Sequence, residues 1–459
     1  MFSINMFSVP GKSAISGKGI IDLKSPVYHT RPMNNIHSRL AKLGVKIPEI
    51  LLPRDGIDLS KWAVIACDQF TQDRNYWEQV KKAADGAPSC LNLIFPEVYL
   101  EDGGEDARRQ RIRDIRATMD LYCRESVFAP PRHCCVYLER ATPLHPKRRG
   151  IVLLVDLEQY DWAPESRPLI RSTEGTVKER LPPRMEIRRA APLELPHILL
   201  LVDDEDDSLI PSLGEIARKH RRLYDTPLMM NSGAVTGWAL ETEEAWALLA
   251  DGLEKLAAGS ARRYGSPPGE SPFLFAMGDG NHSLATAKAV WEEYKKAHAG
   301  EASTENHSAR WAMVEVENLY DPGLVFEPIH RVVFGAEPSE LLETLYGLDH
   351  TRFKLVAQEK RIIRIENLSP TIATSGLQPL LDNFVKEKGC SIDYIHGEDE
   401  VLRLTADSAR QAVGLILPPV QKEGLFKTVA KTGPLPRKSF SMGEAEEKRF
   451  YLECRRLFG

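Results

Sequence analysis

Six consecutive residues place four kinds of reactive or ligand-binding group at one turn: Gly278-Asp279-Gly280-Asn281-His282-Ser283. An apolar run precedes them, and a helical pattern with Leu284, Ala287, Trp291 and Tyr294 on one face follows. The start of a helix has unpaired N–H groups and the positive end of its dipole, and glycines let a ligand approach the backbone closely. The pattern therefore predicts an anion site, with phosphate as the favoured anion.

Each residue of the turn has a predicted role. Gly278, Gly280, Asn281 and Ser283 would line the phosphate, while His282 would hydrogen-bond it or act as an acid or base. Asp279 would orient His282 or help to bind Mg²⁺. The alternative is that Asp279 or Asn281 simply caps the helix. The chain has no G-x-x-x-x-G-K-[ST], so the turn is not a Walker loop. The dinucleotide pattern G-x-G-x-x-G is incomplete, because Ser283 stands at the third glycine position.

A second candidate cluster lies upstream, in the segment from Leu169 to Asp204. Its predicted ligand-binding residues are Arg171, Thr173, Arg180 and Arg184, with Glu174 as a candidate general base for an acceptor hydroxyl. Prolines interrupt the segment, so one regular helix cannot spread its arginines evenly over a solvated face. Salt bridges with Glu179, Glu186 and Glu194 are the alternative. Asp203 and Asp204 fit either a Mg²⁺ site or a solvated acidic loop.

Two further basic pairs are candidates. His330 and Arg331 lie in the strand-like run "FEPIHRVV", where alternation puts their side chains on opposite faces. Arg437 and Lys438 lie in "PLPRKSF". Cys67, Asp68 and Gln69 follow another short apolar run, at the kind of strand end where α/β sheets place sites.

The elements that must position these residues alternate between strands and helices without a regular Rossmann rhythm. We expect an α/β or α+β fold with mixed sheets in two lobes. Residues 1–32 would be a loose extension, 33–258 an N-terminal lobe with the arginine-rich segment, and 271–459 a C-terminal lobe with the glycine turn. The Gly-, Pro- and Ser-rich stretch Gly259–Pro272 is the predicted linker. A basic turn and an amphipathic helix are expected at the end of the chain.

Composition limits the function classes. The 459 residues carry a formal net charge of −5, which argues against holding polyanions by bulk charge. The seven cysteines form no C-x-x-C pair, so reduced structural thiols are expected. No apolar run approaches the length of a membrane span, and the N-terminus is a poor signal peptide. We expect a cytoplasmic protein that acts on neither membranes nor nucleic acid; its oligomeric state is left open.

Four motifs in order, "IRSTEGTVKERLPPR", "GDGNHSLATAK", "FEPIHRVV" and "GPLPRKSFSMGE", resemble the domain of unknown function 1015 family. Many of its members have Asp-Gly-His-His-Arg, so Asp279, Gly280 and His282 match while Asn281 and Ser283 depart from the pattern. That motif is similar to one in ParB-like proteins, sulfiredoxins and ParB-related free-serine kinases, and in the kinases it lies by the phosphates of a nucleotide. The resemblance implies a ParB/sulfiredoxin-like element around the turn.

The function predicted first is therefore a nucleotide-binding phosphotransferase acting on a small metabolite, with ATP or ADP and Mg²⁺. Arginines of the upstream segment would offset charge in the transition state. The alternative is a non-catalytic ParB-like module that binds nucleic acid or a nucleotide, which the acidic composition disfavours. A metal-dependent hydrolase is a third option, without a supporting H-x-x-x-H spacing. Zinc, haem and flavin have no support in the sequence.

Overall fold

The computed structural model describes residues 33–266, 270–345, 353–357, 363–365, 373–406, 411–418 and 421–458. The predicted loose extension, residues 1–32, lies outside them.

Twelve α-helices lie within these described ranges. They are α1 (Met33–Lys42), α2 (Leu59–Trp62), α3 (Arg74–Ala84), α4 (Gly104–Arg124), α5 (Leu181–Arg188), α6 (Leu209–Ala217), α7 (Glu243–Tyr264), α8 (Asn281–Ala297), α9 (Pro338–Leu345), α10 (Ala373–Lys388), α11 (Glu398–Ala406) and α12 (Leu425–Thr432).

The strands are mostly short. They are β1 (Val45–Lys46), β2 (Glu49–Ile50), β3 (Val64–Ile65), β4 (Arg132–His133), β5 (Cys135–Ala141), β6 (Arg148–Asp156), β7 (Tyr160–Asp161), β8 (Ile170–Arg171), β9 (Leu193–Glu194), β10 (Leu199–Val202), β11 (Arg222–Pro227), β12 (Ala234–Leu240), β13 (Phe275–Asp279), β14 (Trp311–Asn318), β15 (Phe326–Phe334), β16 (Phe353–Val356), β17 (Ile363–Ile365), β18 (Ser391–His396), β19 (Ala412–Ile416), β20 (Phe440–Met442), β21 (Phe450–Tyr451) and β22 (Arg455–Arg456).

A mixed ten-stranded sheet organises most of the chain. Its order is β11-β12-β5-β6-β14-β10-β13-β8-β7, with β1 added to β6. β13 is parallel to β8 and antiparallel to β10, while β10 is parallel to β14. A six-stranded sheet, β17-β16-β19-β15-β18 with β20 on β15, is antiparallel throughout. The prediction of a mixed α/β fold is confirmed.

Both faces of the larger sheet are covered, which explains why its inner strands β6 and β10 have apolar runs without alternation. In β5, Cys135 and Tyr137 pack in a core with α1, α6, α7 and α8. Val136 and Leu138 of the same strand pack in a second core with α2, α3 and α4. The larger sheet takes strands from both sides of the predicted lobe boundary, and the division into two lobes stays a prediction.

Local patterns predicted several elements correctly. Ile112, Ile115, Met119 and Tyr122 recur in the sequence at helical spacing, and they form the buried face of α4. The apolar runs "CCVYLER" and "GIVLLVDLEQY" predict strands, and they contain most of β5 and of β6. The seven cysteines are free thiols, as expected. Among the described residues, no helix combines the length and apolar character that a membrane crossing needs.

Three local predictions were wrong. α7 continues to Tyr264, so the first six residues of the predicted linker are helical. The segment "LGEIARKHRRLYD", residues 213–225, has a helical pattern that predicts one helix, but α6 ends at Ala217 and β11 follows it. The expected closing helix is instead a 3₁₀ turn, Ala445–Glu447, followed by β21 and β22. These two strands pair with β3 and β9, so their apolar residues are buried by distant strands rather than along a helix face.

Charged side chains are buried beside β14. Arg449 forms ion pairs with Glu315 and Glu453, and the Arg148 Nε lies 2.9 Å from the Glu317 Oε1. All five residues are less than a tenth exposed. Burial and the neighbouring Glu315 raise the pKa of Glu317 to about 8, although Arg148 opposes the shift.

This buried carboxyl predicts a pH-dependent stability. Between about pH 5 and about pH 8 the folded protein retains a proton that the unfolded chain has lost, so the free energy of unfolding falls as pH rises. The slope reaches up to about 1.4 kcal/mol per pH unit. Glu317→Gln has the shape of the neutral carboxyl group but does not titrate. We expect it to reduce the pH dependence of the free energy of unfolding, measured by thermal denaturation. Glu215→Gln, at an exposed position, is the control. An unchanged slope in Glu317→Gln would contradict the assignment.

Candidate functional site

The predicted strand, glycine turn and helix are β13, Gly280 and α8. Gly280 has φ of 82°, in the left-handed region that favours glycine, and a Cβ there would lie 3.1 Å from the Cα of Ile198. The Asp279 carboxylate accepts a hydrogen bond from the Gly280 N–H at 2.8 Å. These contacts fix where α8 begins, so its first turn starts at the edge of the sheet.

Residues after β8 reach the same edge. Because β8 and β13 run parallel, the chain leaves both strands in the same direction. The Thr173 hydroxyl donates to the Met277 carbonyl at 2.6 Å, and the Asn281 side-chain amide donates to the Glu174 carbonyl at 3.3 Å. The structure therefore brings Thr173 and Glu174, from the upstream cluster, to the glycine turn.

The Glu174 carboxylate is held by a third segment. One oxygen accepts the Ser439 N–H at 2.8 Å and the other accepts the Lys438 N–H at 3.2 Å. Burial raises the pKa of Glu174, and these hydrogen bonds and the Lys438 charge only partly offset the rise. The N–H groups of Lys438, Ser439 and Phe440 occupy at most three of the four lone pairs, so the carboxylate can still accept a proton.

Lys448 also contacts this turn, and sequence reasoning did not single it out. Its ammonium lies 3.1 Å from the Asp279 carboxylate and donates to the Ser441 hydroxyl at 3.1 Å, and the residue is 8% exposed. Burial tends to raise the pKa of Asp279, but Lys448, the Gly280 N–H and His197 together outweigh burial, and the pKa lies below its ordinary value. Asp279 is therefore ionised and directed at Lys448.

The metal role predicted for Asp279 stays a prediction. Lys448 neutralises the Asp279 carboxylate, which leaves less negative charge for a divalent ion. Across the described ranges, no three His, Cys, Asp or Glu side chains are grouped as a metal site. Asp204 caps α6 through the N–H groups of Ser208 and Leu209, and Asp203 pairs with Arg263 at 2.6 Å. Both are buried, so the expectation of a solvated acidic loop was wrong for these two residues.

The remaining residues of the turn face two different neighbours. The His282 Nε2 accepts the Val177 N–H at 3.4 Å. The Ser283 hydroxyl lies 2.7 Å from Nε2 of His197, a residue that sequence reasoning did not single out. The only local signal for His197 was its place just before the apolar run of β10.

The upstream arginines have other contacts. Arg171 donates to the Pro168 carbonyl at 3.0 Å and covers the Phe273 ring at 4.7 Å from its centroid. Arg184 pairs with Glu97, and Arg188 pairs with Glu194. Arg180 ends the 3₁₀ helix Lys178–Arg180. The salt-bridge alternative thus describes Arg188 with Glu194, whereas the partner of Arg184 is a residue that this alternative did not name. Phosphate binding by the upstream arginines stays a prediction.

His330 and Arg331 lie in β15 and are both buried. The His330 Nδ1 accepts the Leu417 N–H at 3.1 Å, and burial lowers the pKa of His330. Arg331 donates to Gln378 at 3.0 Å and stacks on Tyr394, with Arg437 on the same ring. Burial lowers the pKa of Arg331 to about 10 against the attraction of Tyr394 and Glu174. Arg331 thus supplies positive charge in the surroundings of Glu174.

Comparisons with known proteins give a family and distant structural similarities. The model of a family described as "Protein of unknown function (DUF1015)" matches residues 51–420. No curated protein matches. A conserved hypothetical protein from Pyrococcus furiosus is 13% identical, with a TM-score of 0.31 and coverage of 66% of this chain and 90% of that one.

Two other solved structures are similar to this chain with comparable identity, coverage and TM-score. Free serine kinase in complex with AMP is 12% identical, with a TM-score of 0.34 and coverage of 66% and 90%. SbnI with a C-terminal truncation, from Staphylococcus aureus, is 10% identical, with a TM-score of 0.32 and coverage of 66% and 81%.

The glycine at position 280 should be essential to the turn. Gly280→Ala forces an alanine into the left-handed region against the Ile198 backbone, and we expect it to destabilise the protein by about 1–2 kcal/mol. Gly259→Ala is a matched control in α7, where a Cβ meets nothing within 4 Å; it should be neutral or stabilising by up to about 1 kcal/mol. Thermal denaturation measures both. Equal changes in stability for the two variants would show that the backbone conformation at position 280 does not require glycine.

Proposed function

This chain belongs to the DUF1015 family, and we propose that it binds a nucleotide at the start of α8 and transfers a phosphoryl group to a hydroxyl of a small metabolite. The observation that carries the proposal is the convergence of three separate segments on one helix start. Glu174 follows β8, Asn281 opens α8, and Lys448 precedes β21. A proton acceptor, an anion-binding backbone and a buried cation are the groups that phosphoryl transfer requires.

Positive charge surrounds the proposed phosphate position. The first turn of α8 contributes the positive end of its dipole, and Lys448 contributes a buried ammonium. Arg437 and Lys438 are exposed at the turn that holds Glu174, where they can approach a phosphate from the solvent side. Stabilisation of the charge on transferred oxygens is the main contribution that a protein makes to this reaction.

Glu174 is the proposed general base. Its pKa is raised by burial, which brings a carboxylate closer to the pKa at which it removes a proton efficiently near neutral pH. The Lys438 and Ser439 N–H groups fix its direction, so an acceptor hydroxyl would meet a carboxylate of defined orientation.

The glycine turn has the proposed role of positioning. Asp279 orients Lys448, and His282 hydrogen-bonds the phosphate or acts as an acid or base, as the sequence predicts. ATP or ADP is the proposed nucleotide. Mg²⁺ would be bound mainly by the nucleotide phosphates, which suits a site with few carboxylates available.

A titration separates binding from chemistry. We expect one of ADP, ATP and CTP, with or without Mg²⁺, to bind the protein in calorimetry. Glu174→Gln should retain binding but lower phosphoryl transfer by about 10²–10⁴-fold in a screen of hydroxyl acceptors, because the base is lost. Glutamine also leaves one of the two N–H groups at this side chain without its acceptor, so the denaturation curve of the variant is measured alongside. Glu179→Gln, exposed in the same segment, should behave as the wild type.

Two results would contradict the proposal. One is the absence of binding for every nucleotide under all conditions. The other is wild-type turnover in Glu174→Gln. A salt-dependent shift of a short DNA duplex, without nucleotide turnover, would instead support the non-catalytic module.

A further inference from the structure

Ser283 and His197 form a nucleophile–base pair at the proposed phosphate position. Ser283 is the third residue of α8, and its hydroxyl oxygen lies 2.7 Å from the His197 Nε2. The other ring nitrogen, Nδ1, lies 2.8 Å from the Tyr451 hydroxyl oxygen. A hydroxyl, a base within hydrogen-bond reach and a third group that orients the base are the arrangement of an activated serine.

The hydrogen bonds of Tyr451 are compatible with a His197 tautomer that carries its proton on Nδ1. Tyr451 has a single O–H, which it donates to the Cys67 sulfur at 3.1 Å, and its oxygen accepts the Cys67 N–H at 3.3 Å. Burial raises the pKa of Tyr451 well above its ordinary value, so the hydroxyl keeps this proton. With the Tyr451 O–H on the Cys67 sulfur, the contact between Tyr451 and His197 is made by the Nδ1–H of His197. In this tautomer the Nε2 lone pair faces the Ser283 hydroxyl, as a general base requires.

Carboxylates stabilise the cation that would form on His197. The Asp68 Oδ2 lies 3.8 Å from the His197 Nε2, and Asp279 interacts electrostatically with the same ring. An imidazolium would therefore be offset by nearby negative charge while the serine reacts. Ser283 is only half-buried, so a small ligand can reach it.

We propose that Ser283 is a catalytic nucleophile that accepts the phosphoryl group before it passes to the final acceptor. The Ser283 oxygen attacks the terminal phosphorus of the donor, and the bond from that phosphorus to the bridging oxygen breaks. The leaving group is the nucleoside diphosphate when ATP is the donor and the nucleoside monophosphate when ADP is the donor. The hydroxyl proton moves to the His197 Nε2. The phosphoserine lies in the first turn of α8, where the helix dipole favours its negative charge.

The second step restores the enzyme. The acceptor hydroxyl attacks the phosphorus and loses its proton to Glu174, while the Ser283 oxygen leaves and recovers its proton from His197. The proton on Glu174 is then released to solvent. This inference rests on the proposed function for the identity of the donor, but the serine, its base and Tyr451 are independent of which donor is used.

Peptide mass spectrometry after rapid acid quench tests the intermediate directly in the wild-type protein. Mg-ATP and acetyl phosphate serve as separate donors, because acetyl phosphate needs no nucleotide site. We expect a phosphoryl group on Ser283, absent in Ser283→Ala and formed about 10²–10⁴-fold more slowly in His197→Gln. Ser303→Ala, an exposed serine beyond α8, is the matched control and should label like the wild type.

Tyr451→Phe tests the positioning role of Tyr451. This variant removes the hydroxyl that hydrogen-bonds the His197 Nδ1 but keeps the ring. We expect slower labelling with a shifted pH profile, a change that a purely structural role would not produce.

The outcomes separate the two proposals. Labelling by acetyl phosphate without nucleotide binding supports the nucleophile and overturns the nucleotide assignment. Nucleotide-dependent turnover without phosphate on Ser283 from either donor, in a protein shown to be folded by its denaturation curve, overturns the nucleophile and leaves direct transfer. Labelling of Ser283 at an unchanged rate in His197→Gln overturns the base.

Discussion

The parallel pairing of β8 with β13 is the constraint on which the candidate site depends. It brings the residues after both strands to one edge of the sheet, so the Glu174 backbone meets Asn281 at the start of α8. Only two residue pairs define this ladder, yet Ile170, Phe275 and Ala276 are completely buried within it. Burial of these side chains compensates for the shortness of the pairing, because separating the two strands would expose the apolar side chains to water.

The segment from Lys438 to Tyr451 completes the site, and buried charge holds it in place. Arg449 lies among Glu315, Glu453 and the Pro196 carbonyl, which together offset the cost of burying a guanidinium. On either side of this anchor, Lys448 reaches Asp279 and Tyr451 reaches His197. One ion-pair network thus sets the positions of a proposed phosphate-binding cation and a proposed positioning residue.

What could be predicted from the sequence was local. Periodicity and glycines located β13, Gly280 and α8, because strand and helix patterns depend on near neighbours. The meeting of Glu174 with the turn and of His197 with Ser283 depends on strand order, which no short pattern contains. The closing helix was predicted incorrectly because Phe450, Tyr451 and Leu457 are apolar at spacings that also suit short strands, and distant partners decided between them. Lys448 was overlooked because a lone lysine in a charged stretch normally faces solvent.

The distance along the chain between the parts of the site has a consequence for how the protein is made. Glu174 and Lys438 are 264 residues apart, and His197 and Tyr451 are 254 apart. A nascent chain on the ribosome can form β13 and the first turn of α8 long before residue 438 is synthesised. Until then the Glu174 carboxylate lacks the N–H groups of Lys438 and Ser439, and Asp279 lacks its ion pair with Lys448. Closure of such long loops is slow and comes late in folding. The site is therefore completed only after the last strands of the fold have been synthesised.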